Sequence, residues 1–471
     1  MDFRPATDEE RLARFGYRQQ LRRSLGSFSN FAVTFSIVSI TTGIFANYGN
    51  GLKAAGPAFI WTWLMVGAGQ ALVMLVFAQL ARQIPISGYA YHWTRQLVGP
   101  QWGWWAGWLM ILQMLTGMPG ACYALATYLA PYLGIGPANR NVVLMTIATL
   151  MVIAVINHFG IRIASLGNNL TVLAELGGSG LAGILLLVLV LHRHTHSWRF
   201  LTTHPSQPSG LPYLGAFAFS SLMSAYTLTG FEHAANLAEE THQPHSRVPR
   251  IILFSVFLAV ALGFLVLLGF TLAIPDVSAV ADDPTPLLSI LGHYFPPLVT
   301  NAAMLLVFVA MFGSSLAGFT SLARMIWSMA RDGELPASTW LARISSRRVP
   351  ANAIWAIAVV TSLFVFWAKA EVIITGIATL AGYLTYAVVV AATLRSKPKD
   401  PQPQAKGESP EPGRRPNRIL SLTALIWVVI LLGMIGLPRS GWTGSAATAV
   451  ALAVGAVWFI FRKSGEGARI E

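Results

Sequence analysis

Two carboxylates stand out in this chain because of where they lie. Of 19 acidic residues, Glu175 and Glu232 fall deep inside long apolar runs. A charge at membrane depth costs roughly a few kcal/mol on an insertion scale. No Lys or Arg falls deep in the same runs to neutralise them. Three options remain: protonation, a cationic ligand, or the backbone amides of a broken helix end. Glu232 follows Gly230 and Phe231, and Gly230 weakens a helix at what should be its middle. Ser39 to Gly43 forms a second soft spot, with Ser39, Thr41 and Thr42 supplying hydroxyls and Gly43 the weak point. The exposed N–H groups of an interrupted helix can hold an anionic group. The blander reading is that Ser and Thr bond back to their own helix. Phe231 is placed either to cover a ligand or simply to pack. Ser314 and Ser315, beside Gly313 and Gly318, fit close helix packing or a proton- or cation-linked site. Glu175 precedes a glycine-rich stretch (Gly177, Gly178, Gly180) and reads as a proton site or a structural acid. His192, His194 and His196 alternate without a carboxylate or cysteine partner, so they read as solvated rather than as metal ligands. No P-loop, GxSxG or HExxH occurs, which leaves no support for nucleotide-driven transport, hydrolysis or a cofactor.

These residues sit in a chain of 471 residues that is 54% hydrophobic and 11% charged. A soluble domain carries about 25% charged residues, so the composition is that of a polytopic, all-α membrane protein. About twelve apolar runs are long enough to cross a bilayer: 28–50, 57–82, 102–132, 141–159, 168–191, 213–238, 249–274, 298–330, 351–368, 372–394, 419–437 and 442–461. Trp102, Trp104, Trp105, Trp198 and Trp442 cluster at run ends, as interfacial belts require. With the N-terminus in the cytosol, only Lys53, Arg140, Arg193, Arg199, Lys369 and Arg439 of the 32 basic residues fall outside. That skew predicts an even number of spans with both ends inside the cytoplasmic membrane. It also accounts for the net charge of +13 as an orientation signal, which argues against a nucleic-acid partner. The polar N-terminus through Arg23 predicts no cleavable signal peptide. The lone Cys122 excludes a disulfide framework within one chain.

The expected organisation is a cytosolic tail (1–24), a ten-helix core (25–395), a disordered Pro- and charge-rich linker (396–418), a two-helix pair (419–461) and a cytosolic tail (462–471). Spans one and six, five apart, each carry a Thr-Gly interruption, and spans three and eight are both unusually long. Repeats of five spans are inverted relative to each other, and matching interruptions point to a transporter site.

TTGIF (Thr41 to Phe45) resembles the GSGIF first-helix signature of the amino acid–polyamine–organocation superfamily. GFEHAANLAEETHQPHSRVPR (Gly230 to Arg250) resembles its sixth-helix block, and RMIWSMARDGELP (Arg324 to Pro336) its eighth-helix end. PISGYAYHW (Pro85 to Trp93) resembles the loop after its second helix. Details such as NLAEET are most similar to the amino acid/choline transporter branch. The resemblance implies a 5+5 inverted-repeat core with two extra helices and alternating access around a site between the two breaks. It implies that Thr41, Thr42 and Gly43 hold a substrate carboxylate by their backbone. Thr229, Gly230, Phe231 and Glu232 would then face the amine end or the gate. Glu175 falls where some proton-coupled relatives place a lysine, and a titrating glutamate there would couple transport to protons. Thr41 replaces the first glycine of the signature, and Tyr89 the second glycine of the loop. The first change leaves room for an amine or choline-like substrate. The expected function is a secondary permease for an amino acid or related amine, driven by protons or exchanging a counter-substrate. Choline, GABA or polyamine transport, a non-transporting ligand sensor and a channel are the competing readings.

Overall fold

The computed structural model describes residues 7–13, 15, 23, 25–136, 138–159, 169–204, 211–347, 349–368, 370–396 and 417–467. Most of the expected N-terminal tail (1–24), the linker (396–418) and the last residues of the C-terminal tail therefore lie outside the described residues. In hydrocarbon every backbone polar group must be satisfied within the protein, which leaves helices as the solution for these apolar runs. The main helices are α1 (Ser27–Val38), α2 (Ile40–Ala55), α3 (Trp61–Gln83), the short amphipathic α4 (Tyr89–Val98), which is not a candidate membrane span, α5 (Pro100–Leu129), α6 (Asn139–Phe159) and α7 (Asn169–Arg193). They continue as α8 (Leu211–Thr227), α9 (His233–Asn236), α10 (Pro244–Leu272), α11 (Pro297–Arg331), α12 (Ala351–Ala368), α13 (Glu371–Arg395), α14 (Arg418–Gly436) and α15 (Trp442–Gly467).

Ten helical runs among the described residues are long and apolar enough to cross a membrane. The first, Ser27–Gln83, has 57 residues, far more than one ~30 Å crossing needs. It folds back at the 3₁₀ turn Gly56–Ile60. The Tyr48 and Phe59 rings lie 5.2 Å apart, whereas a straight helix would separate these positions by about 16 Å. This run therefore makes two passes. Another pass is interrupted, and its helical parts, α8 and α9, have 17 and 4 residues. With these two accounted for, ten becomes the twelve expected from the sequence.

Helices α5 and α13 form the centre, with 78% and 72% of their apolar windows buried. The α14 run and the last run are peripheral, at 28% and 17%. Lipid-facing positions such as Phe257, Leu363 and Ile419 are exposed large apolar side chains. Among the described residues no Lys or Arg is buried, whereas Glu175 and Glu232 are fully buried.

Candidate functional site

Both interruptions are present, and each is bonded to one of the two fully buried carboxylates. The first lies at Ser39, between α1 and α2, where φ is +34° and ψ +85°. This is the left-handed region, which costs a non-glycine residue about 1–3 kcal/mol unless its surroundings hold it. The break thus falls just before Thr41 to Gly43, and those residues form the first turn of α2 rather than the break itself. Thr42 N donates to Ser39 Oγ (3.1 Å) and Gly43 N to Ser39 O (3.0 Å). The Ser39 hydroxyl also donates to Glu175 Oε1. Glu175, from α7, thus reaches the break from across the core. A π-helical turn, Leu176–Gly180, follows it, and its Ser179 Oγ lies 2.5 Å from Thr41 Oγ1. One oxygen of Glu175, Oε2, is buried without a partner among the described residues.

The second interruption spans residues 228–232, between α8 and α9, with Gly230 at φ +95°. A side chain on Gly230 would also press within 3.3 Å of the Val38 nitrogen. Glu232 Oε2 accepts from Gly230 N (3.0 Å) and from Tyr386 Oη (2.7 Å). Its Oε1 accepts from Tyr89 Oη at 3.4 Å. Gln70 Nε2 donates to the freed carbonyl of Leu228 (2.8 Å). Tyr89, the departure from the family loop, therefore supports the break.

The two breaks meet at Gly43, where an added Cβ would lie 2.1 Å from Thr227 Oγ1. Between them, α5, α11 and α13 enclose a cavity of about 70 Å³, room for several waters or a small zwitterion. Ser39, Thr42, Gly43, Thr229, Gly230, Ser314 and Ser315 all line it, and no charged side chain does. Ser315 Oγ donates to Met311 O (2.9 Å) and Thr229 Oγ1 to Tyr226 O (2.8 Å). An apolar wall comes from Ile37, Val38, Met114, Met118 and Ala378.

Four expected site residues lie outside the lining. Thr41 faces Ser179, and Glu175 lies behind Ser39. Phe231 packs on Phe77 and Tyr386, at centroid distances of 5.9 and 5.7 Å. Glu232 is consumed by its own hydrogen bonds. Of the residues expected to hold a carboxylate by their backbone, Thr42 and Gly43 line the cavity, with their amides donating to Ser39 Oγ and Ser39 O. Three polar residues of the lining were not anticipated: Gln113, Tyr226 and His233. A signal for His233 was present, since an ionisable side chain next to a mid-span break is a site candidate by default. Of the alternating histidines, His196 is half-buried and its Nε2 meets Ile274 O at 2.8 Å.

The remaining motifs brace the end of the bundle where α4 packs. Tyr91 Oη donates to Asp332 Oδ2 (3.0 Å), and Arg95 reaches both. Burial pushes the Tyr91 hydroxyl up and keeps it a donor. Burial, with Arg95 and Arg331 nearby, holds His92 down to about 3 and therefore neutral.

Comparison with known proteins gives this architecture its context. The amino acid permease family matches residues 25–461. An Arabidopsis thaliana protein named amino-acid permease BAT1 is 26% identical, covering 93% of this chain and 90% of its own length. The branched-chain amino acid permease BcaP of Lactococcus lactis subsp. cremoris is 27% identical over 77% of this chain and 80% of its own length. Amino-acid permease 2 of Neurospora crassa is 27% identical over 74% and 68%. The family match runs through both broken passes and every membrane helix between them, and this chain belongs to the amino acid permease family of the amino acid–polyamine–organocation superfamily, a transporter and not an enzyme.

Proposed function

We propose that the chain carries a net-neutral amino acid across the cytoplasmic membrane by alternating access, with the cavity between the two breaks as the substrate site. The supporting observation is the lining itself: hydroxyls and an amide interleaved with Ile37, Val38, Met114 and Met118, and no charged side chain among the described residues. Burying an unpaired charge is costly, so a zwitterion suits these walls better than choline or a polyamine. The apolar wall suits a small or medium aliphatic side chain, in line with the name of the Lactococcus relative.

Coupling to protons is proposed to run through Glu175. Ser39 lines the cavity and also bonds both Glu175 and Thr42 Oγ1, the latter at 2.6 Å. A serine hydroxyl has one proton to give. With Glu175 ionised, Ser39 donates to it and Thr42 donates to Ser39. With Glu175 protonated, Glu175 is the donor and Ser39 turns to Thr42. The hydroxyl pattern facing the substrate thus follows the charge of Glu175. Uptake by purified protein in proteoliposomes tests both parts. Amino acids with aliphatic side chains should compete for uptake, and an inward proton gradient should drive it. E175Q should lose the pH dependence while keeping part of its exchange. Competition by amines or choline alone would overturn the substrate reading, and unchanged pH dependence in E175Q would overturn the coupling reading.

A further inference from the structure

The geometry points to His233 as the hydrogen-bond donor that holds the carboxylate of the transported amino acid. The inference rests on the cavity being the substrate site. His233 is buried, lines the cavity and has an Nε2 with no partner among the described residues. Its tautomer is fixed from the far side of the ring. The N–H of Gly88 donates to Asn236 Oδ1 (3.2 Å). A backbone amide cannot be anything but a donor, so the other end of the Asn236 amide, Nδ2, must face His233. Asn236 Nδ2 lies 2.9 Å from His233 Nδ1. Nδ1 must therefore accept, because a proton there would oppose the N–H of Asn236. Ser321 Oγ, also 2.9 Å from Nδ1, can donate to the same lone pair. No carboxylate is bonded to the ring among the described residues, so the neutral form with its proton on Nε2 is the one the contacts allow. The result is an N–H donor, set by a chain of contacts beginning at Gly88, that the protein itself does not use.

The carboxylate is the group that needs it. The amides of Thr42 and Gly43, which line the cavity, already donate to Ser39. No cationic side chain lines the cavity. A carboxylate stripped of water must find donors, and hydrogen bonds to an ionised group are the strong ones. Nε2–H supplies one such donor, and the Ser314 hydroxyl lines the same cavity.

The test uses purified full-length protein and measures binding of alanine, leucine, serine and glutamine, with ethanolamine and isoamylamine as carboxylate-free probes. H233M fills a similar volume without an N–H, whereas H233Q keeps a donor. H233M should weaken every amino acid that the wild-type protein binds by a common factor of about 10- to 100-fold. The amines should be unaffected, and H233Q should recover most of the loss. Gel filtration and melting establish that each variant is folded. Should H233M fail to fold, H233A and H233Q carry the same comparison. Unchanged affinity in the donor-free variant, or a loss confined to serine and glutamine, overturns the inference. Wild-type protein that binds none of the amino acids overturns the substrate reading beneath it.

Discussion

Glu175 and Glu232 solve one electrostatic problem in the same way. Among the described residues each is a buried carboxylate without an ion pair, and each bonds to a helix break, Glu175 through the Ser39 hydroxyl and Glu232 through the Gly230 amide and the Tyr386 hydroxyl. The residue that looked most like a substrate ligand, Glu232, is thus the clasp of its own break. Replacing it with glutamine removes one acceptor and brings an NH₂ against donors. Each buried donor left unpaired costs about 1–3 kcal/mol. E232Q should therefore melt several degrees lower in detergent and lose most uptake. Y386F removes the 2.7 Å bond and Y89F the 3.4 Å one, so the loss of stability should rank E232Q, then Y386F, then Y89F. A thermal-unfolding series measures this, and E232Q melting at the wild-type temperature would refute the clasp.

At the level of elements, the two broken passes are held in register by short-range contacts from unrelated segments. The segment at the start of α4 grips the part of the second broken pass that contains α9 at successive points. Ser87 N donates to Glu239 Oε1 (3.3 Å), Gly88 N to Asn236 Oδ1 and Tyr89 Oη to Glu232. Asn30 of α1 donates to Ala234 O (3.2 Å) and Thr241 Oγ1 (2.8 Å). These contacts tie α1 to α9 and give the PISGY and NLAEET segments a mechanical role. The other two halves, α2 and α8, meet at Gly43 and Thr227, where no side chain fits on Gly43. G43A should therefore abolish uptake by driving α2 from α8. T227G in the same protein should restore part of it, although glycine within a helix costs about 1 kcal/mol. Uptake by the single and double variants at matched expression reads this coupling; full activity of G43A alone would show that the helices do not approach as described.

For the whole molecule, the arrangement places two interrupted passes at the centre of a bundle, with α14 and α15 at its rim. The basic residues predict which end faces the cytosol, and the chain offers a clean background for testing it. Its one cysteine, Cys122, is buried. Arg199 and Arg343 are exposed in loops predicted to lie on opposite sides. A membrane-impermeant maleimide should label R199C on intact cells and R343C only after permeabilisation. The reverse pattern would invert the topology.

Much of this was legible in the chain alone. Run length and composition dictate the membrane passes, because hydrocarbon admits few backbone solutions. Gly230 marks the second break, since a glycine there weakens a helix that lipid would otherwise enforce. Ser39 to Gly43 marks the first break, but the residue within it that turns left-handed, Ser39, was not singled out by spacing, because its partner Glu175 comes from a distant helix. Partner identity was the part decided by tertiary structure. Glu175 meets Ser39 across 136 positions, Tyr386 meets Glu232 across 154 and Gly88 sets Asn236 across 148. Local spacing carries no record of such contacts. A buried carboxylate or imidazole acquires its role from whichever donor or acceptor packing delivers to it, and that delivery exists only once the helices have assembled.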